Sequence, residues 1–166
     1  MNYSETKSAL EAKRAQIASL RDQMRALQAE VEPQAVEDYQ LTGWGGPVHL
    51  SQLFGDKLNL IVIHNMGRGC SSCTMWADGF NGVYDHLASR AAFVVSSPDP
   101  VAVQKEFAAG RGWRFPMVSH ANTSFALDMG YRRPDAGHGG YSPGVSAFRR
   151  DGSRILRLSD TELGPM

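Results

Sequence analysis

The chain carries two cysteines, Cys70 and Cys73, with Ser71 and Ser72 between them. Thiols at this spacing can exchange disulfides, supply half of a four-cysteine zinc site, or sit inert as structural residues. Exchange needs a thiolate, because the anion and not the neutral thiol attacks a disulfide sulfur. Here a buried strand, a Gly-punctuated loop from Asn65 to Gly69 and a helix follow one another, so Cys70 falls at a helix start. Exposed amides there stabilise negative charge and can bring a cysteine pKa from about 8.5 down to between about 3.5 and 7.5. Cys73 lies one turn on, with a Cα separation of about 5 to 6 Å that suits a disulfide. The expected cycle has Cys70 attack a substrate disulfide and Cys73 resolve the intermediate. The partners are then thiols or disulfides on proteins or small molecules, and the scheme calls for no cofactor and no metal.

The neighbouring residues each admit two roles. Arg68 either supports the thiolate or is a solvated loop charge. Asp78 either relays a proton to Cys73 or faces water, while Trp76 and Phe80, one turn apart, read as core. Ser142-Pro143, just before the last hairpin, is a candidate substrate-binding element, because a cis X-Pro bond would leave a free backbone edge beside the cysteines. An ordinary trans turn proline is the alternative there, and Pro116, at a strand start, is a competing candidate that tolerates the trans form. Trp113, Phe115 and the loop Gly137-His138-Gly139-Gly140 are candidates for lining a substrate groove. A zinc site would require two subunits to meet at the cysteines, or recruitment of His49, His64, His86, His120 or His138.

Several elements must hold these residues. From Ser4 to about Glu32 the apolar residues Leu10, Ile17, Leu20, Met24, Leu27 and Val31 recur at intervals of 7, 3, 4, 3 and 4. That is a heptad seam on a long amphipathic helix, ending near Val31 before Pro33. The seam packs either on its own domain or on a second copy, and the second option implies a homodimer through this helix. Residues 1–32 are therefore read as an arm and 37–160 as the globular domain. A hairpin is expected around Thr42-Gly43-Trp44-Gly45-Gly46, and a helical turn over Ser51 to Gly55. Leu58 to Ile63 reads as a strand buried on both faces, followed by the cysteine helix to about Ser89. A strand over Ala91 to Ser96, a helix opened by Pro98-Asp99-Pro100, a short strand over Phe115 to Ser119 and a short helix over Thr123 to Met129 come next. Val145 to Arg149 and Arg154 to Leu158 flank an Asp151-Gly152 turn. This order predicts an α/β fold with a mixed central sheet and helices on both faces. Only eight residues follow Leu158, too few for a closing helix, so the arm or a partner is expected to cover one face.

Over 166 residues, 17 Lys and Arg balance 17 Asp and Glu, which gives no general attraction to nucleic acid or anionic lipid. No run of about 18 apolar residues occurs and no apolar leader opens the chain, so a reducing cytoplasm is the expected setting. In that setting a close cysteine pair points to catalysis, sensing or metal rather than to a structural staple.

Leu50-Ser51-Gln52-Leu53-Phe54-Gly55, Gly69-Cys70-Ser71-Ser72-Cys73, Trp76-Ala77-Asp78-Gly79-Phe80, His86-Leu87, Gly112-Trp113-Arg114-Phe115-Pro116 and Ser142-Pro143-Gly144-Val145-Ser146 together resemble the DUF899 family of thioredoxin-like proteins. The resemblance spans almost the whole chain. It implies a thioredoxin-like fold near the peroxiredoxin branch, dithiol-disulfide oxidoreductase activity of unassigned substrate, the cysteine motif at a helix start, and Pro143 at the cis-proline position. A peroxidase is the neighbouring activity. Its attacking cysteine usually lies in a Thr-x-x-Cys setting, and here residue 67 is Gly. The reading from a different class is a thioredoxin-like interaction or redox-sensing module that dimerises through the N-terminal helix.

Overall fold

The computed structural model describes residues 2–133 and 138–164, with the side chain of His138 not described. Gly137 and the His138 side chain, part of the candidate groove loop, therefore lie outside the described residues. The chain divides into two compact units, residues 1–32 and 33–166.

The first unit is helix α1, Tyr3–Ala29. Asn2 caps it in a reciprocal box: its Oδ1 accepts the Glu5 N–H, and Glu5 accepts the Asn2 N–H, both at 2.9 Å. None of its residues is buried, and the heptad seam from Leu10 to Leu27 is exposed along its length.

The second unit is built on one sheet of eight strands: β1 (Gln34–Val36), β2 (Gln40–Gly43), β3 (Gly46–His49), β4 (Asn59–His64), β5 (Ala92–Ser97), β6 (Met117–Ser119), β7 (Gly144–Asp151) and β8 (Arg154–Glu162). The spatial order is β1-β8-β7-β4-β5-β6-β2-β3. β4 sits in the middle, parallel to β5 and antiparallel to β7. Burial on both faces is why its sequence, Leu60-Ile61-Val62-Ile63, is continuously apolar rather than alternating. The crossovers β4 to β5 and β5 to β6 carry helices α2 (Ser71–Arg90) and α3 (Val101–Arg111).

These two helices cover one face, where Ile63, Ala77, Phe93, Val95, Ala108, Trp113 and Phe115 form one core cluster. The other face carries Leu60, Val62, Val94 and Phe148. It is closed by a 3-10 helix over Leu50–Phe54, the short helix α4 (Phe125–Asp128) and Tyr131. The sequence reading assigned that cover to the arm or a partner, but these short elements within the second unit fill the role. Strand β1 was not foreseen either. Three residues carry no periodicity, and pairing with β8 through Val36 opposite Ile155 is what makes them a strand.

Candidate functional site

Strand β4 ends at His64 and the chain turns across the top of the sheet to Cys70. That turn is tied down at four backbone amides. The Asn65 N–H donates to the Ser96 carbonyl at 2.8 Å, Gly67 N–H to Asn65 Oδ1 at 2.8 Å, Arg68 N–H to Asp99 Oδ2 at 2.7 Å and Cys70 N–H to the Gly67 carbonyl at 3.1 Å. Gly67 has φ +99°, and a β-carbon there would press on the Asp99 carboxylate at 3.1 Å. Glycine is thus needed for both backbone conformation and space.

Cys70 is the N-cap residue of α2, in extended conformation, and its Sγ accepts the Cys73 N–H at 3.1 Å. A sulfur occupies the place that a Ser, Thr, Asp or Asn oxygen usually takes at a helix start, facing the amide dipoles. Its carbonyl accepts both the N–H and the Oγ1–H of Thr74, each at 3.0 Å, which fixes the first turn.

Both cysteines are free thiols. Burial pushes the Cys73 thiol up to about 12, and its hydrogen bond to the Cys70 sulfur adds to the effect. The two sulfurs thus differ in role: Cys73 keeps its proton, while Cys70 accepts hydrogen bonds. Both are nearly covered, Cys70 at 6% and Cys73 at 4% exposed.

Asp78, one candidate for a proton relay, is engaged elsewhere. It pairs with Arg111 of α3 and accepts the Trp113 indole N–H at 2.8 Å, and these partners, Arg111 foremost, hold its carboxyl below the usual range. Trp113 is buried with its indole N–H occupied, and its ring lies 5.4 Å from Phe107 and 5.3 Å from Phe115. It is thus a core residue and offers a substrate no polar group. Phe115 is also core, and Trp76 and Phe80 are half-buried with ring centroids 6.4 Å apart. Arg68 is exposed and borders a cavity of about 330 Å³ together with Val103, Glu106, Phe107, Gly110 and Arg111.

No cis peptide bond occurs among the described residues, so the Ser142–Pro143 bond is trans. Of the two readings left open for this bond, the trans turn proline is the one present, in place of the cis position implied by the resemblance. Gly144 pairs with His64 of β4 on one side and Glu162 of β8 on the other. The Pro143 carbonyl accepts the Leu163 N–H, and Ser142 N–H donates to the Tyr131 carbonyl, both at 2.9 Å. With β8 extended to residue 162, the backbone next to Pro143 is already paired. A β-carbon on Gly144 would collide with the Tyr131 ring, which explains the glycine there.

A buried polar cluster at the ends of β4, β5 and β6 escaped the sequence reading. His64 Nε2 lies 2.9 Å from Ser146 Oγ, and its ring stacks on Tyr131 at 3.9 Å. His120 Nδ1 lies 2.8 Å from Ser96 Oγ. Burial lowers His120 to about 4 and His64 well below its usual value. Among the described residues no three His, Cys, Asp or Glu side chains converge to hold a metal, and no helix is long and apolar enough to cross a membrane.

A family model described as a bacterial protein of unknown function, DUF899, matches residues 1–162. Among solved structures, the peroxidoxin BcpB of Mycobacterium tuberculosis is 26% identical at a TM-score of 0.63, covering 78% of this chain and 84% of that one. A peroxiredoxin Q of Xanthomonas campestris is 19% identical at a TM-score of 0.65, over 77% of this chain and 82% of that one. The reduced Prx3 of Vibrio vulnificus, solved with hydrogen peroxide, is 17% identical at a TM-score of 0.61, over 81% of this chain and 89% of that one. At these identities the last two establish a shared fold.

Proposed function

The chain belongs to the DUF899 family and has the thioredoxin fold of the peroxiredoxins, and from this premise we propose that it is a thiol-disulfide oxidoreductase working through Cys70 and Cys73. The observation that carries the reading is the asymmetric pair at the start of α2. Cys70 Sγ receives the Cys73 amide at 3.1 Å, and the Cys73 thiol, raised to about 12, is hydrogen-bonded to that same sulfur.

In the cycle, the Cys70 thiolate attacks one sulfur of a substrate disulfide, a new S–S bond forms, and the substrate's own S–S bond breaks. The leaving thiolate takes a proton. Bonding to substrate removes the negative charge of Cys70, which eases one of the influences that keep Cys73 protonated. Cys73 then gives up its proton and attacks Cys70 Sγ, releasing the second substrate thiol and leaving the Cys70–Cys73 disulfide. Two electrons have passed from the protein to the substrate, and an external dithiol returns them. Ser142 and Pro143 are proposed as substrate-lining residues, and Trp113 supports the site from the core. A reducing compartment such as the cytoplasm suits the cycle.

Alkylation of the reduced protein across pH tests the reading. Cys70 is expected to be alkylated before Cys73, Cys73→Ser to trap a mixed disulfide at Cys70, and Cys70→Ser to trap none. Alkylation of both cysteines alike, without any intramolecular disulfide on oxidation, overturns it. Peroxide reduction at Cys70 is the second reading, favoured by the names of the structural neighbours. Gly67 stands where the Thr-x-x-Cys setting would have its threonine, which weighs against it. Peroxide consumption that outpaces disulfide exchange at equal concentration would favour that second activity.

A further inference from the structure

The cavity beside the cysteine turn has a charge pattern that the exchange reaction does not by itself explain. Arg68 enters it from the anchored turn, two residues before Cys70, and Glu106 enters from α3. Both side chains are exposed, and neither has an ion-pair partner among the described residues. Arg111 also borders the cavity, but Asp78 neutralises it and its guanidinium lies over the Phe107 ring at 5.9 Å. What remains free is one cation and one anion, with an apolar wall of Val103 and Phe107 and an open floor at Gly110.

Resting on the exchange reading, we propose that this cavity is the substrate subsite and that the substrate is a small zwitterionic disulfide, of the kind formed by two amino-acid or short-peptide thiols. The Arg68 guanidinium forks a carboxylate, as arginine does best. Glu106 takes the ammonium group, and Phe107 and Val103 take the methylenes. The volume of about 330 Å³ accommodates an amino-acid-sized half and leaves the sulfur to be presented toward the neighbouring turn. Glu106 disfavours polyanionic disulfides, and a neutral disulfide gains from neither charge. The Arg68 backbone N–H is held by Asp99 at 2.7 Å, so its side chain leaves the turn at a set position.

The test is single-turnover oxidation of the reduced full chain, freed of reductant, by cystine, by coenzyme A disulfide and by hydroxyethyl disulfide. The Cys70–Cys73 disulfide is read by acid quench and mass, and each rate is divided by that disulfide's rate with free dithiothreitol. The expected result is a preference for cystine of about five- to tenfold over the neutral compound, the scale of one or two charge-assisted contacts. Arg68→Ala and Glu106→Gln should each remove most of that preference, read in each variant as the ratio of its cystine rate to its hydroxyethyl disulfide rate. Equal normalised rates for all three disulfides would overturn the subsite and leave the exchange activity standing. A preference for coenzyme A disulfide would also overturn it, as would Arg68→Ala slowing every disulfide alike, which would make Arg68 an influence on the thiolate instead. Failure of every disulfide to oxidise the pair would instead overturn the exchange reading itself.

Discussion

At the scale of single residues, the molecule places two titrating histidines where water cannot help them. His120 is 3% exposed, and Arg132 adds a repulsive charge to the cost of burial, which together bring it to about 4 from its usual 6.5. Above about pH 6.5 the ring is neutral folded and unfolded, and stability does not depend on it. Below that the unfolded chain binds a proton that the folded chain refuses, so stability falls until the pH nears 4, where the folded ring also protonates. The expected loss across that window is about 3 kcal/mol. Urea unfolding measured between those limits should show it. His120→Asn, which can still reach Ser96, should flatten this part of the acid limb; an unchanged acid limb in that variant would assign the loss to other groups.

At the scale of elements, the turn from β4 to α2 and the opening of α3 are one device. Asp99, read from sequence only as part of a Pro-Asp-Pro helix start, uses its carboxylate to hold the Arg68 N–H and to occupy the space that a side chain at residue 67 would need. Asp99→Ala removes that acceptor, at an expected cost of about 1 to 2 kcal/mol. Because Cys70 is buried and follows directly on this turn, the same variant should alkylate faster at Cys70 than the wild type under native conditions. Iodoacetamide labelling followed by mass would check this, and a slower or unchanged rate would show that access to the sulfur runs by another route. Helix α2 is itself fastened to α3 through Asp78 with Arg111, and to the following segment through Asp78 with Trp113.

At the scale of the whole molecule, helix α1 stands out for its exposed apolar seam. Its 27 residues include no buried side chain, and Ile17, Leu20 and Met24 are 48%, 58% and 59% exposed. A seam of that kind is the sequence signature of helix pairing, and we propose a homodimer formed through it. The full chain is then expected at about twice the monomer mass by light scattering, while a chain of residues 33–166 is expected to be monomeric with its sheet intact by circular dichroism. Monomer mass for both forms would remove the arm as a dimerisation element. The non-catalytic alternative, a dimerising module on a thioredoxin scaffold, makes the same mass prediction and differs in the thiol chemistry alone.

What the sequence determined by itself is what depends on neighbours along the chain. The helical seam of α1, the apolar run of β4, the glycine-rich hairpin between β2 and β3, and a cysteine at the start of α2 all follow from spacing over a few residues, and the element order follows from them. Everything that qualifies the site is non-local, and only the tertiary structure decided it. Arg68 meets Asp99 across 31 positions, Asp78 meets Arg111 across 33, and His64 meets Ser146 across 82. Strand β1 exists through β8, and the extension of β8 to residue 162 takes up the backbone beside Pro143. The physical reason is that a hydrogen bond or a buried charge acquires its partner only when the sheet closes. Local pattern can place a cysteine at a helix start but not the distant groups that come to surround it.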